Sequence, residues 1–158
     1  MATAPTSELP QPLFEFMQRP RITVVTTHSP EGPGVTCNVI SWVLARDPRT
    51  IRMMGDSRTR WVQNLKADPR VALVILGAEG AWTVYGQARI LADPTPGVPL
   101  RLALIEVTDL QVYSSMFWGA RLTQVPEWEV TYDPAQAEKL DQQVFAAMRE
   151  FSPQPPEP

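Results

Sequence analysis

The sequence predicts an α+β fold built on an antiparallel β-barrel of six to seven strands with flanking helices. Three observations lead there. Runs rich in β-branched and aromatic residues recur along the chain, Pro- and Gly-rich turns separate them, and one amphipathic helix interrupts the series while others lie at its ends. Strands joined mainly by short turns pair antiparallel, and closing such a sheet into a barrel removes its exposed edges.

Residues 7–18, SELPQPLFEFMQ, predict a short helix. Ser7 is its candidate cap, Pro10 suits the first turn, and Leu13, Phe14, Phe16 and Met17 give it an apolar face. Arg21 to His28 reads as a strand, Ser29 to Gly34 (SPEGPG) as a turn, and Val35 to Ala45 (VTCNVISWVLA) as a second strand of hairpin length. Arg46 to Thr50 turns the chain into a third strand, Ile51 to Met54. A helix follows, with Trp61, Val62 and Leu65 on one face, and Asp68-Pro69 ends it.

Arg70 to Leu76 is a continuous apolar strand, and Gly77 to Gly80 is a turn. Ala81 to Leu91 is the fifth strand, with a bulge or bend expected at Gly86. Ala92 to Gly97 is loop, Val98 to Leu104 fits no single pattern, and Ile105 to Val112 reads as a sixth strand. Tyr113 to Val125 is aromatic and without clear period, and Trp128 to Tyr132 is a short strand candidate. Asp133-Pro134 opens a last helix to about Phe151, with Leu140, Val144, Met148 and Phe151 on one stripe.

At 158 residues the chain is read as one domain over 1–151, followed by a Pro-rich tail, Ser152 to Pro158, expected to be disordered. The single Cys37 excludes an intrachain disulfide and a multi-cysteine zinc site, and suits a reducing cytoplasm. On a predicted strand it reads as a small buried hydrophobe. His28 is the one histidine, so no multi-histidine metal site exists; a turn or surface role is the expectation. A net charge of −3 gives no general attraction to nucleic acid or anionic membranes. The start lacks the pattern of a signal peptide, and no apolar run approaches the roughly 20 residues of a membrane span.

The chemistry concentrates in IRMMGDSRTRWVQNLKADP, Ile51 to Pro69. A strand, a turn with two hydroxyls and two guanidiniums, and a helix start converge there. Free backbone N–H groups and the positive helix end point the same way, which is how an anion, phosphate above all, is held. The competing reading is a solvated, capped helix start.

The order of elements resembles the pyridoxamine 5′-phosphate oxidase-like family of FMN-binding split β-barrels. The strand VISWVL, the DPRTIRMM hairpin, the phosphate turn, the helix exit NLKADPRVAL and the strand WTVYGQARIL carry the likeness. It implies that Val39, Ile40, Ser41 and Trp42 run beside the flavin ring and ribityl chain, and that Met54 and Gly55 contact the flavin. Thr59, Arg60 and Trp61 fall on the family's Ser-Arg-Lys phosphate grip, so a tryptophan stands where the family has lysine. Ser57 and Arg58 are the candidate compensation, and Asp56 either bonds the flavin polyol or shapes the turn. Trp42 and Trp82 lie on strands near the expected flavin, and Trp118, beside Phe117, is placed to reach it from a partner subunit.

The resemblance therefore implies an FMN-binding homodimer with its site at the interface, an oxidoreductase of an unidentified small molecule or electron donor. The deazaflavin F420 is the alternative cofactor, and a flavin-storing protein without turnover the alternative function. No counterpart of the basic C-terminal motif of true pyridoxamine 5′-phosphate oxidases is present. No side chain stands out as an obligatory acid, base or nucleophile, so catalytic residues stay unassigned.

Overall fold

A computed structural model describes residues 4–153. Its elements are α1 (Gln11–Phe16), β1 (Thr23–His28), β2 (Val35–Ile40), β3 (Val43–Asp47), β4 (Thr50–Asp56), α2 (Arg60–Ala67), β5 (Arg70–Gly77), β6 (Gly80–Ala92), β7 (Leu102–Ser114) and α3 (Pro134–Glu150). All seven strands form one sheet in the order β2-β1-β5-β6-β7-β4-β3, with every neighbouring pair antiparallel. The fold is the α+β, seven-stranded split barrel that the sequence predicts.

What rolls the sheet up is a break inside the expected strand Val35 to Ala45. Ser41 and Trp42 divide it, and its halves, β2 and β3, become the two opposite edges of the sheet. Only two residues join those edges, so the sheet must curl until they meet. Ile40 and Val43 both pack on the inner core. In an unbroken strand residues three apart would face opposite sides. The corner at residues 41–42 is therefore a change of register as well as of direction.

The barrel interior holds Val25, Leu73, Ile75, Val84, Ile105 and Val107, among others. Leu13 and Met17 from the α1 segment, and Trp61, Val62 and Leu65 from α2, also belong to this inner core. A second cluster lies outside the barrel, where Leu44, Met54, Leu102 and Leu104 meet Val144, Phe145 and Met148 of α3. Arg52 is fully buried beneath this helix. It donates to Glu106 at 3.0 Å and to the carbonyls of Met148 and Phe151 at 3.0 and 2.6 Å, tying the end of α3 to the sheet. Among the described residues no helix lies over the outer face of β2, β1, β5 and β6, and Val35, Val39 and Tyr85 stand exposed there.

The strand break at residues 41–42 is one of several differences from the sequence reading. Cys37 is exposed, because it points to the uncovered outer face; its Sγ lies 3.4 Å from Thr26 Oγ1. Ser7 does not cap α1, whose N-cap position is Pro10 with no side-chain bond. Trp128 to Tyr132 forms no strand; all five residues are exposed, and none pairs with either edge of the sheet, β2 or β3. Two other features match. The β6–β7 register shifts between Tyr85 and Gln87, and a Cβ on Gly86 would fall 2.4 Å from Val107 Cγ1. Asp133 caps α3 by accepting from the Ala135 N–H at 3.0 Å. The predicted tail lies, from residue 154 onward, outside the described residues.

Candidate functional site

β4 ends at Asp56 and α2 begins at Arg60, so the anion-site candidate is the three-residue connection Ser57-Arg58-Thr59 and the first turn of α2. Most donors of the connection are already engaged. Asp56 accepts from the Arg58 backbone N–H at 2.8 Å and from its guanidinium at 2.9 and 3.1 Å. That guanidinium, with the backbone bond, lowers the Asp56 carboxyl to about 2. The Thr59 N–H and hydroxyl both donate to the Asp56 carbonyl. Ser57 is buried; its N–H donates to the Arg101 carbonyl and its hydroxyl to Asp93 in a short hydrogen bond. Lys66 reaches the other Asp93 oxygen at 2.6 Å, and these two partners, the lysine first, hold the Asp93 carboxyl below its usual range.

What stays open is the start of α2 itself. The first bond into the helix runs from the Gln63 N–H to the Thr59 carbonyl, and the Thr59 side chain makes no cap. The amides of Arg60, Trp61 and Val62 are thus left without helical partners. Arg60 is exposed and, among the described residues, makes no ion pair. Arg101 stands beside the same turn, close enough to lower both Asp56 and Asp93. The sequence reading missed Arg101 and Lys66. No local pattern marks them; the pairing of Asp56 with Leu102 is what sets residue 101 against the turn.

With Arg58, Arg60, Lys66 and Arg101 against Asp56 and Asp93, the locality carries more cations than carboxylates. Open amides plus unpaired guanidiniums are the donor set of a phosphate site, and an arginine fork suits it better than a lysine. The residues present fit the phosphate end of a flavin nucleotide, with the grip on Arg60, Arg101 and backbone rather than on Ser57 or Thr59 side chains.

Trp61 is not exposed at the turn. It is buried in the barrel core, and an ideal Cβ built on Gly55 would lie 2.1 Å from Trp61 Cζ2. Gly55 is the only residue type that leaves the indole its place.

The two predicted stretches do come together. The Met54 N–H donates to the Trp42 carbonyl at 3.1 Å, setting the 41–42 corner against the end of β4. Met54 itself is buried under α3, and Trp42 Nε1 donates to Asp141 of that helix at 2.8 Å. Ser41 is half-buried at the corner, Ile40 points inward and Val39 outward, 63% exposed.

Trp82 and Trp118 lie elsewhere. Trp82 pairs with Ser114 at the end of β7, whereas the turn sits at the start of β7 by Leu102, roughly 40 Å away along the strand at about 3.3 Å per residue. Trp82 packs on the inner core with its Nε1 buried and without a partner, and Trp118 is 94% exposed. Among the described residues no group of three or more His, Cys, Asp or Glu could hold a metal ion.

The sequence model of one family, described as pyridoxamine 5′-phosphate oxidase, matches residues 9–100. The chain belongs to the pyridoxamine 5′-phosphate oxidase family. The matched span runs from the residues just before α1 to the loop before β7, and so includes the whole β4–α2 turn.

Solved structures share the family fold. A Lactobacillus delbrueckii protein provisionally named a pyridoxamine 5′-phosphate oxidase is 13% identical, with a TM-score of 0.59 over 71% of this chain and 100% of its own. An F420 reductase is 21% identical, with a TM-score of 0.54 over 66% of this chain and 98% of its own. HupZ of Group A Streptococcus is 12% identical, with a TM-score of 0.57 over 73% and 99%. No curated protein matches by sequence.

Proposed function

We propose that this family member is an FMN-binding flavoprotein, an oxidoreductase that works as a homodimer on a small molecule. The observation that carries the reading is the uncapped start of α2 with Arg60 free beside it. Arg60, Arg101 and the amides of residues 60–62 would hold the phosphate. The corner from Val39 to Trp42 and the Met54-Gly55 backbone would border the ribityl chain and ring. Asp56 shapes the turn through Arg58, as its three bonds from that residue indicate. When bound, the flavin supplies electron or hydride exchange, while the chain binds, orients and shields it from water.

The homodimer is part of the same proposal. Within one chain Trp82 and Trp118 are remote from the turn, so Trp118 joins the site only from a second copy. The uncovered outer face of β2, β1, β5 and β6 is the surface on which that copy would pack. Nothing basic at the C-terminal end resembles the substrate-phosphate motif of true pyridoxamine 5′-phosphate oxidases. Arg149, the basic residue in the last turn of α3, donates to the Gln18 carbonyl.

F420 is the second reading. A protein named F420 reductase has the same fold, and an anion site at α2 would serve the phosphate of either cofactor. The absorbance spectrum of the purified protein, alone and after adding FMN or F420, tests both. Anaerobic NADH or NADPH then separates a reductase, which bleaches the bound cofactor, from a storage protein, which does not.

A further inference from the structure

A groove of about 600 Å³ opens between the first half of α3, the end of the 93–101 loop and Trp42. Its walls are apolar and come from separate parts of the chain: Trp42, Leu100, Tyr132 and Leu140. Leu100 and Tyr132 are 46% and 48% exposed, although each lines a concave surface. Large apolar side chains gathered round a depression of this size are the usual construction of a small-molecule cleft. One wall is rigid. The Trp42 indole packs on the α3 cluster, and its Nε1 is fixed by the 2.8 Å bond to Asp141.

The polar groups narrow the ligand. Lys139 is the one charged side chain lining the groove, and among the described residues it makes no ion pair. The amides of Gln136 and Gln143 line the same groove. One ammonium and two amides suit a single negative charge. A phosphate would call for arginine forks or several cations, as at the start of α2. The nearby Asp141 already accepts from Trp42.

We infer that this groove binds a flat apolar acid, an aromatic carboxylate with its ring on Trp42 and its carboxylate at Lys139. The site uses none of the phosphate-turn residues but shares Trp42 with the corner proposed to border the flavin, so the titration is run with and without added FMN.

Calorimetric titration of the full chain with 2-naphthoate, and with neutral 2-naphthamide, tests it. The acid binds about two- to fivefold more tightly than the amide, the scale of one partly screened ion pair. Lys139→Gln abolishes that preference and leaves naphthamide unchanged. Leu100→Asp, at an exposed position that does not threaten folding, weakens both about tenfold or more. Equal affinities for acid and amide, a preference that survives Lys139→Gln, or no saturable binding of either would overturn the proposal.

Discussion

The indole of Trp61 fills the space that any side chain on Gly55 would need; an ideal Cβ there lies 2.1 Å from Trp61 Cζ2. The two residues flank the β4–α2 turn from inside the barrel. The position that the family gives to a lysine has thus become part of the core, and the site's positive charge rests on arginines outside it.

This coupling is measurable. Gly55→Ala should destabilise the protein by about 1–3 kcal/mol through overpacking. Trp61→Leu alone should cost about 3 kcal/mol or more by opening a cavity. In the double variant the two losses should not add, because the smaller side chain makes room for the methyl. Urea denaturation of the four proteins of the cycle would show it, and simple additivity would disprove the contact.

Arg52 should matter more than its place in a strand suggests. It is buried, pairs with Glu106 at 2.9 Å and caps the last carbonyls of α3. Arg52→Met leaves Glu106 with only the longer contact to exposed Arg89, and should cost about 3 kcal/mol or more. The loss should appear as loosening of α3, read as faster amide exchange of residues 144–151 than of β5. Uniform exchange changes across the chain would contradict that anchoring role.

Acid should weaken the fold through its paired carboxylates. Asp56 and Asp68 are lowered to about 2 by Arg58 and Arg70, and Asp93 is lowered by Lys66 and Ser57. A depressed carboxyl stabilises the folded state above its unfolded value of about 4, and that contribution is lost as pH falls through the folded value. The denaturation midpoint should therefore drop between about pH 4 and 2. Asp93→Asn should lose less over that interval than the parent. Parallel pH profiles would show that Asp93 contributes nothing.

Trp118, 94% exposed in one chain, should be protected if the proposed dimer forms. Acrylamide quenching of the dimer against a dilution series reads this directly, with Trp118→Phe identifying the signal. Trp118→Ala should also weaken cofactor binding several-fold without changing the stability of the monomer. Unchanged affinity in a proven dimer would remove Trp118 from the site.

Much of this was legible in the sequence, and what was not has physical causes. The strand series, α2 with its buried Trp61 face, the bulge at Gly86 and the capped α3 all follow from local patterns. The break at Ser41-Trp42 left no turn signal, because VISWVL has no Gly, Pro, Asn or Asp at the corner. The burial of Arg52 has no local signature, since alternation tells which face a residue takes but not that α3, some 80 residues later, covers it. Cys37, expected to be buried, lies exposed on a face that no described helix covers. Arg101 joins the turn only through the β4–β7 register, which no short motif encodes.

The central claim is that the start of α2 holds the phosphate of a flavin, with Arg60 as its principal side chain. A hydrogen bond to a charged group contributes about 1.5–3 kcal/mol, so its loss should weaken binding tenfold or more. FMN titration of the parent and of Arg60→Ala, followed by the visible spectrum, measures this most directly. The account predicts saturable uptake by the parent and a dissociation constant at least about tenfold higher for Arg60→Ala. Superimposable titrations, or a parent that stays colourless with both FMN and F420, would contradict it.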